Sequence, residues 1–372
     1  MPRNNSFHHP DLNLFGVTVA LVIFGLVMIF SSSAIFASQT YNNSWYFFEK
    51  QILWSVVGFI CMFLMMKTDY HQIQKFSRPM VIVAIILLIL VLTGIFGREV
   101  GGAKRWIKLG PVGFQASEVA KIALIVYIAD YLDRRQSKIQ RTWRGVLPIL
   151  GIIGLICGLI LIEPDMGTSV SLAAVSVGML FVGGLSVWYL LSMLMMAVPL
   201  LIYLVVSKPY RMRRIMAFTD PWKDQQNISY QIVQSLIALG SGGLLGVGLG
   251  NSKQKLLYLP AAHTDFIFPI IGEELGFIGA IGIVVLFLIF AWRGLKIALH
   301  SGDMFGGMLA CGLTTMITLQ ALINVGVSCA LFPTKGLPLP LVSYGGSNLA
   351  FTLTSIGILL NISRQTVKKG LK

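Results

Sequence analysis

The chain has 372 residues, 55% of them hydrophobic and only 12% charged, with a mean hydropathy of +0.77. An average soluble domain is about 25% charged, so a water-soluble fold is excluded and a bilayer is the implied solvent. The net charge of +14 comes from 29 Lys+Arg against 15 Asp+Glu. The basic residues sit between long apolar runs, which makes lipid head groups and lipid phosphates the expected partners and argues against nucleic acid.

In chain order, the apolar run Leu14 to Phe30 is too long for a signal-peptide core and nearly spans a bilayer, so it predicts an uncleaved first transmembrane helix. About ten such segments follow the hydropathy pattern, near 13–37, 46–66, 78–97, 115–132, 146–162, 167–184, 187–206, 268–292, 304–330 and 346–364. The fold expectation is therefore an all-α polytopic membrane protein. It forms a single membrane domain over 1–372, with a large loop at 207–267 between the seventh and eighth helices. Lys67, Lys75, Arg78, Arg134, Arg135, Lys138, Arg141, Arg144, Arg293, Lys296, Arg364, Lys368 and Lys369 fall on one face. By the positive-inside rule that face is cytoplasmic, with the N-terminus (1–12) and the C-terminus (365–372). The loops near 98–114, 207–267 and 331–345 are then extracytoplasmic.

Two outer stretches run against the charge bias: Arg98, Lys104, Arg105 and Lys108, then Lys208, Arg211, Arg213 and Arg214. Snorkelling beside lipid phosphates accounts for them, and so does docking of an anionic substrate head group; both readings stay open. Glu118 and Lys121 lie three apart near the outer end of the fourth span, as a structural ion pair or as functional groups. Asp165, in Glu163-Pro164-Asp165, suits a helix cap. Within the long loop, Tyr230 to Leu239 is amphipathic and predicts a helix in the interface plane. The glycine run Gly240 to Gly250 matches no nucleotide-binding spacing. Gly154/Gly158 and Gly272/Gly276 have helix-packing spacing. The four cysteines read as small buried hydrophobes. Asp265 stands where the long outer loop re-enters the bilayer, either as a helix N-cap or as a reactive carboxylate, with Glu273 and Glu274 about two turns further on.

At these residues the chain resembles the SEDS family of FtsW/RodA-type glycosyltransferases, over nearly its whole length. The resemblance is carried by GAKRWI (102–107), FQASEVAK (114–121), EPDMGT (163–168), Asp220-Pro221-Trp222, YQIVQS (230–235), AHTDFIF (262–268) and LPLPLVSYGGS (337–347). The QKLLYLP run (254–260) is closer to the division (FtsW) type than to the elongation type, with the sporulation type also similar. Ala116 stands where the family usually has proline, and Ala261 where it usually has glutamate.

The resemblance implies an enzyme that polymerises lipid II, a disaccharide-pentapeptide on undecaprenyl pyrophosphate, at the outer face of the cytoplasmic membrane. It implies Asp265 as the catalytic residue and links Arg105, Glu118 and Lys121 to function. The closing motif adds Ser343 as a substrate-binding candidate. It also implies a class B penicillin-binding transpeptidase and other divisome proteins as partners, and a place at the division septum. A pyrophosphate leaves as a stable anion, so one base plus cations suffices where a glycosidase needs two carboxylates. Asp265 is the expected base; Lys104, Arg105, Arg211, Arg213 and Arg214 are the candidate pyrophosphate contacts. A divalent cation (Mg or Mn) bridging the phosphates is compatible with the chemistry, although no ligand cluster in the sequence demands one. A helix N-terminus would lower the Asp265 pKa, whereas burial or Glu273 and Glu274 would raise it. Two other functions remain: a flippase for the same lipid, which should show internal repeats, and a non-catalytic divisome scaffold.

Overall fold

The computed structural model describes residues 9–93, 97–100, 103–109, 112–141, 143–224, 227, 229–256 and 258–365. Most of the expected cytoplasmic ends, with Lys368 and Lys369, lies outside them. Each expected span coincides with a helix. The first three helices are α1 (Leu12–Tyr41), α2 (Tyr46–Lys67) and the short α3 (Tyr70–Lys75). Then come α4 (Ser77–Thr93), α5 (Ala116–Arg141), α6 (Trp143–Ile162), α7 (Met166–Val182) and α8 (Val187–Val206). The long loop holds α9 (Pro209–Thr219) and α10 (Tyr230–Ser241), followed by α11 (Ile267–Leu299), α12 (Met304–Ser328) and α13 (Gly346–Arg364). Seven described helices are long and apolar enough to cross a membrane, and α4 and α7 are shorter apolar helices. At 1.5 Å per residue, α1 is about 45 Å long, more than the hydrocarbon thickness.

The polytopic helical expectation holds, with one addition. The stretch expected as a loop near 98–114 folds into an antiparallel sheet of β1 (Gly97–Val100), β2 (Ala103–Leu109) and β3 (Val112–Gln115), in that order. Trp106 pairs with Gln115 and Ile107 with Phe114, and β3 runs directly into α5. Ile107 is buried, whereas its neighbour Trp106 stays partly exposed.

The core forms where α13 lies along α2, α11 along α12, and α4 along α5. Nearly all of α13 is buried, whereas no residue of α8 is buried by protein, which leaves its surface to lipid. The helix α10 forms as expected but does not simply lie on the surface. Ile232 and Val233 are buried, and Ser235 Oγ donates to the Ser328 carbonyl (2.7 Å), tying α10 to the end of α12. The chain from Gly242 to Gly248 then pairs its backbone with α11: Val247 N–H donates to Glu273 O and Phe277 N–H to Gly243 O. This is allowed because α11 is broken at Gly276 (φ 68°, ψ −167°), a conformation that disfavours a side chain. The broken turn offers free backbone groups at membrane depth, and the glycine segment satisfies them. The two expected packing motifs therefore differ: Gly276 lies against the backbone of Leu244 and Gly246 and Gly272 against the Leu239 side chain, whereas Gly154 and Gly158 face open space.

Candidate active site

The helix ends sort the charged residues into two groups. At the end bearing the start of α1 and the finish of α13, Asp11 N–H donates to Ser363 Oγ, and Asp11 pairs with Arg293 near the finish of α11. The start of α11, the finish of α12 and the start of α13 lie at the other end. There the segment 261–266 meets the loop 331–345, and the sequence motifs of both are brought together.

That junction is built from backbone contacts. Ser343 Oγ donates to the Thr264 carbonyl (2.5 Å) and accepts from Leu339 N–H (2.8 Å). Tyr344 N–H donates to His263 O (2.9 Å). Asn324, near the finish of α12, donates through Nδ2 to both Asp265 O and Leu337 O, each at 2.8 Å. His263 packs among Phe36, Phe47 and Tyr344, and burial holds its imidazole down at about 4, so it acts as a neutral aromatic wedge. Ser343 thus orders the Asp265 loop from beneath.

Asp265 is not a helix cap: the residue at the α11 N-cap is Phe266, with no side-chain capping bond. Among the described residues nothing hydrogen-bonds the Asp265 carboxylate. Oδ2 rests against Gly336, 2.9 Å from where a Cβ would stand. Burial pushes the carboxyl up to about 6; the charges of Arg214 and Arg105 pull it down, and Asp165 pushes it up. Burial therefore wins over the helix terminus. Glu273 and Glu274 are not the cause. Glu273 accepts from Ser252 Oγ and from Lys253 N–H (2.9 Å), while Glu274 pairs with Lys255 (2.8 Å) and Ser31 (2.7 Å). Two turns into α11, both serve the 252–255 segment.

Arg105 leaves the sheet on β2 and spans to the turn before α7. Its Nε donates to Glu163 O (3.0 Å) and its Nη2 to Pro164 O (2.6 Å). Asp165 caps α7 as expected, accepting from Thr168 N–H (3.1 Å) and Thr168 Oγ1 (2.9 Å). Glu163 is 1% exposed and neither carboxylate oxygen has a partner among the described residues. Burial and the Asp165 charge push it up to about 8 against the pull of Arg105. Arg214, on α9, donates to Thr334 O (3.2 Å), which brings the long loop over the same junction.

The other candidates are spread out. Arg211 turns back to the Leu204 carbonyl (2.8 Å) and Tyr210, and Arg213 is exposed on α9. Lys104 lies on β2, and its side chain is outside the described set. Glu118 and Lys121 form a buried ion pair (2.7 Å) in the bundle, with Asn348 on Glu118 (3.1 Å) and Gln320 on Lys121 (3.3 Å). Gln320 continues to Pro338 O (2.9 Å), so the pair braces the 331–345 loop through one side chain. On the Thr264 side of the junction opens a groove of about 680 Å³, walled by Trp54, Trp106 and Tyr344, with Lys50 and Glu49 at its rim. The groove was not visible in the sequence pattern, because it arises from segments far apart in the chain. Among the described residues no group of three or more His, Cys, Asp or Glu is placed to hold a metal ion. Asp165 is already committed to Thr168, so the donor set does not fit a cation held by protein alone.

The Asp265 carboxyl thus lies within the fields of Arg214 and Arg105 at one end of a helical bundle. The family model described as "Cell cycle protein" (FtsW, RodA, SpoVE) matches residues 11–368. The chain belongs to this family. A probable peptidoglycan glycosyltransferase FtsW of Geobacter sp. (strain M18) is 43% identical over 353 residues, covering 95% of this chain and 96% of that one. Stage V sporulation protein E of Bacillus subtilis (strain 168) is 40% identical, covering 95% and 97%. Among solved structures, a chain of a peptidoglycan synthase complex that coordinates polymerization and crosslinking superposes with a TM-score of 0.78. It is 29% identical, over 95% of this chain and 98% of that one.

Proposed function

We propose that this chain is a peptidoglycan glycosyltransferase of the division type, joining lipid-linked disaccharides on the outer membrane face with Asp265 as general base. The observation that carries the reading is the part-buried Asp265 carboxylate, without a hydrogen bond among the described residues and under the fields of Arg214 and Arg105. Family membership and the FtsW relatives support the activity.

Asp265 takes the proton of the acceptor sugar's 4-hydroxyl. The oxygen attacks the donor's anomeric carbon, the bond from that carbon to the diphosphate oxygen breaks, and the polyprenyl diphosphate leaves with its electron pair. A base near 6 is ionised at neutral pH yet basic enough to draw the proton as the new bond forms. Arg105 and Arg214 are set where negative charge develops, and cations already in place need no reorganisation. Two lipid-linked sugars must meet at the Asp265 loop, and the aromatic groove on its Thr264 side suits one of them, since aromatic walls combined with polar rims hold amphipathic ligands.

The sidedness follows from the basic loops: the end with Asp11 and Ser363 is cytoplasmic and the Asp265 end faces outward. The septum is the expected site of action, and a crosslinking transpeptidase the expected partner, in keeping with the synthase complex that the fold resembles. Purified full-length protein given lipid II should make glycan strands, and Asp265→Ala should make none. Lipid translocation in vesicles that survives Asp265→Ala, without any strand synthesis by the wild type, would point to the flippase instead.

A further inference from the structure

Lys335 lies in the outer loop between two residues that the site already uses. Its predecessor Thr334 accepts from Arg214 through its carbonyl (3.2 Å), and its successor Gly336 lies against Asp265 Oδ2. Leu337 N–H donates to Lys335 O (2.9 Å), and Leu337 O is in turn held by Asn324 (2.8 Å). The backbone on either side of Lys335 is therefore fixed to the Asp265 loop and to α12.

Its side chain is part-buried, and among the described residues nothing hydrogen-bonds or ion-pairs with it. Burial alone holds the ammonium below the ordinary lysine range, with no carboxylate offsetting it. The two buried lysines among the described residues behave differently: Lys121 has Glu118 at 2.7 Å and Lys255 has Glu274 at 2.8 Å. Taking a cation out of water without a counter-charge is costly. Such a group is a candidate for a site where a ligand supplies the missing anion.

We propose that Lys335 is a diphosphate-binding residue that, with Arg105 and Arg214, grips the leaving diphosphate of the lipid-linked donor. The inference rests on the polymerase reading above. As the anomeric carbon–oxygen bond breaks, the bonding pair stays on the diphosphate, whose charge grows by one. A lysine presents a compact point charge that follows the phosphate oxygens without the planar constraint of a guanidinium. The loop position links the two halves of the reaction: Gly336 fixes where the base sits, and Lys335, one residue away, answers the charge that departs.

The test uses the full-length protein in detergent, with undecaprenyl diphosphate as an inhibitor of strand synthesis. Lys335→Gln should weaken that inhibition about 10- to 100-fold, the range for a lost charge-assisted hydrogen bond, and Lys335→Arg should largely retain it. In the wild type, undecaprenyl diphosphate should shield Lys335 from amine acetylation, a readout that survives even where Lys335→Gln does not fold. An unchanged inhibition constant in Lys335→Gln, or acetylation of Lys335 that the lipid does not slow, overturns the proposal. Equal shielding by inorganic diphosphate would assign the site to a free anion and overturn the donor grip. If Lys335→Gln binds normally while Asp265→Ala is inactive, only this inference fails; if Asp265→Ala still makes strands, the polymerase reading fails first.

Discussion

The two ends of the bundle treat charge in opposite ways. At the end bearing Asp11, Asp11 is locked to Arg293, His71 is held between Asp69 (2.7 Å) and Asp303 (2.6 Å), and Asp130 takes Arg134 (2.6 Å), Ser77 (2.8 Å) and Gln74 (3.0 Å). At the other end, among the described residues, the Asp265 carboxylate and both Glu163 oxygens lack hydrogen bonds, and Lys335 lacks a counter-ion. Both ends carry buried or part-buried ions, so burial does not distinguish them. Saturation does. Charges that cancel within the protein hold helices together, whereas charges left open at a fixed position are available to a ligand and cost stability.

The largest expected effect breaks that contrast at its centre. Asp265→Asn keeps the shape and removes the base, so strand synthesis should fall about 10²- to 10⁴-fold. Because the ionised group is unfavourably buried, the variant should melt no lower than the wild type and by a few degrees higher. Asp11→Asn should do the reverse, lowering the melting temperature while leaving activity per folded molecule unchanged. If both variants lower the melting temperature alike, the distinction between the ends is wrong.

Next in size are the buried pairs. Lys255→Met strands Glu274, which is fully buried, and should cost about 3–5 kcal/mol in detergent unfolding. Adding Glu274→Gln should return much of that loss, since a pair removed together leaves no lone charge. Lys121→Met with Glu118→Gln should behave the same way. A double variant as unstable as the single one would show that these ions do more than hold the fold.

These pairs also mark what the sequence could show. The spans were legible because each is a long run with one physical demand, to satisfy its own backbone in lipid. Asp265 was legible as an acid at a re-entry point. Its surroundings were not. Arg105 acts on it through its charge from a sheet that the charges of Lys104 and Lys108 disguised as a loop, Arg214 comes on α9 and Lys335 on the 331–345 loop. Glu273 and Glu274 are near Asp265 in sequence only: about two turns into α11, roughly 9 to 10 Å along its axis from its start, they meet Ser252, Lys253, Lys255 and Ser31. Local patterns carry helices and caps, as at Asp165, whereas charge partners across long loops are fixed only by the folded chain.

A smaller effect should appear with pH. Glu163 is raised from an ordinary 4.5 to about 8 by burial, so the folded state binds a proton that the unfolded state has released. The stability it contributes is present below about 4.5 and lost as pH rises through about 8. The wild type should therefore melt progressively lower from pH 5 to pH 8, and Glu163→Gln should flatten that slope. Asp265 adds the same sign over a lower window, from 3.8 to about 6. Its kinetic signature is opposite, because the ionised form is the active one: the rate should climb as pH rises through about 6 and then level off. A rate that falls over that interval would remove Asp265 as the base.

The smallest effect sharpens the comparison to tenths of an ångström. At Gly336 a Cβ would stand 2.9 Å from Asp265 Oδ2, closer than carbon and oxygen settle, so Gly336→Ala must push the carboxylate aside. No bond is lost and no charge changes, so stability should barely move. The base, however, leaves the line to its proton, and since a misplacement of about 1 Å costs on the order of 10²-fold in rate, a shift of a few tenths should cost a few-fold in kcat with KM unchanged. Gly282→Ala is the control: a Cβ there meets nothing within 4 Å, and alanine suits a helix interior better than glycine. A kcat loss in Gly336→Ala but not in Gly282→Ala would show that the open end depends on where its acid points. Equal rates in both would mean that the Asp265 side chain finds its working position only once substrate is bound.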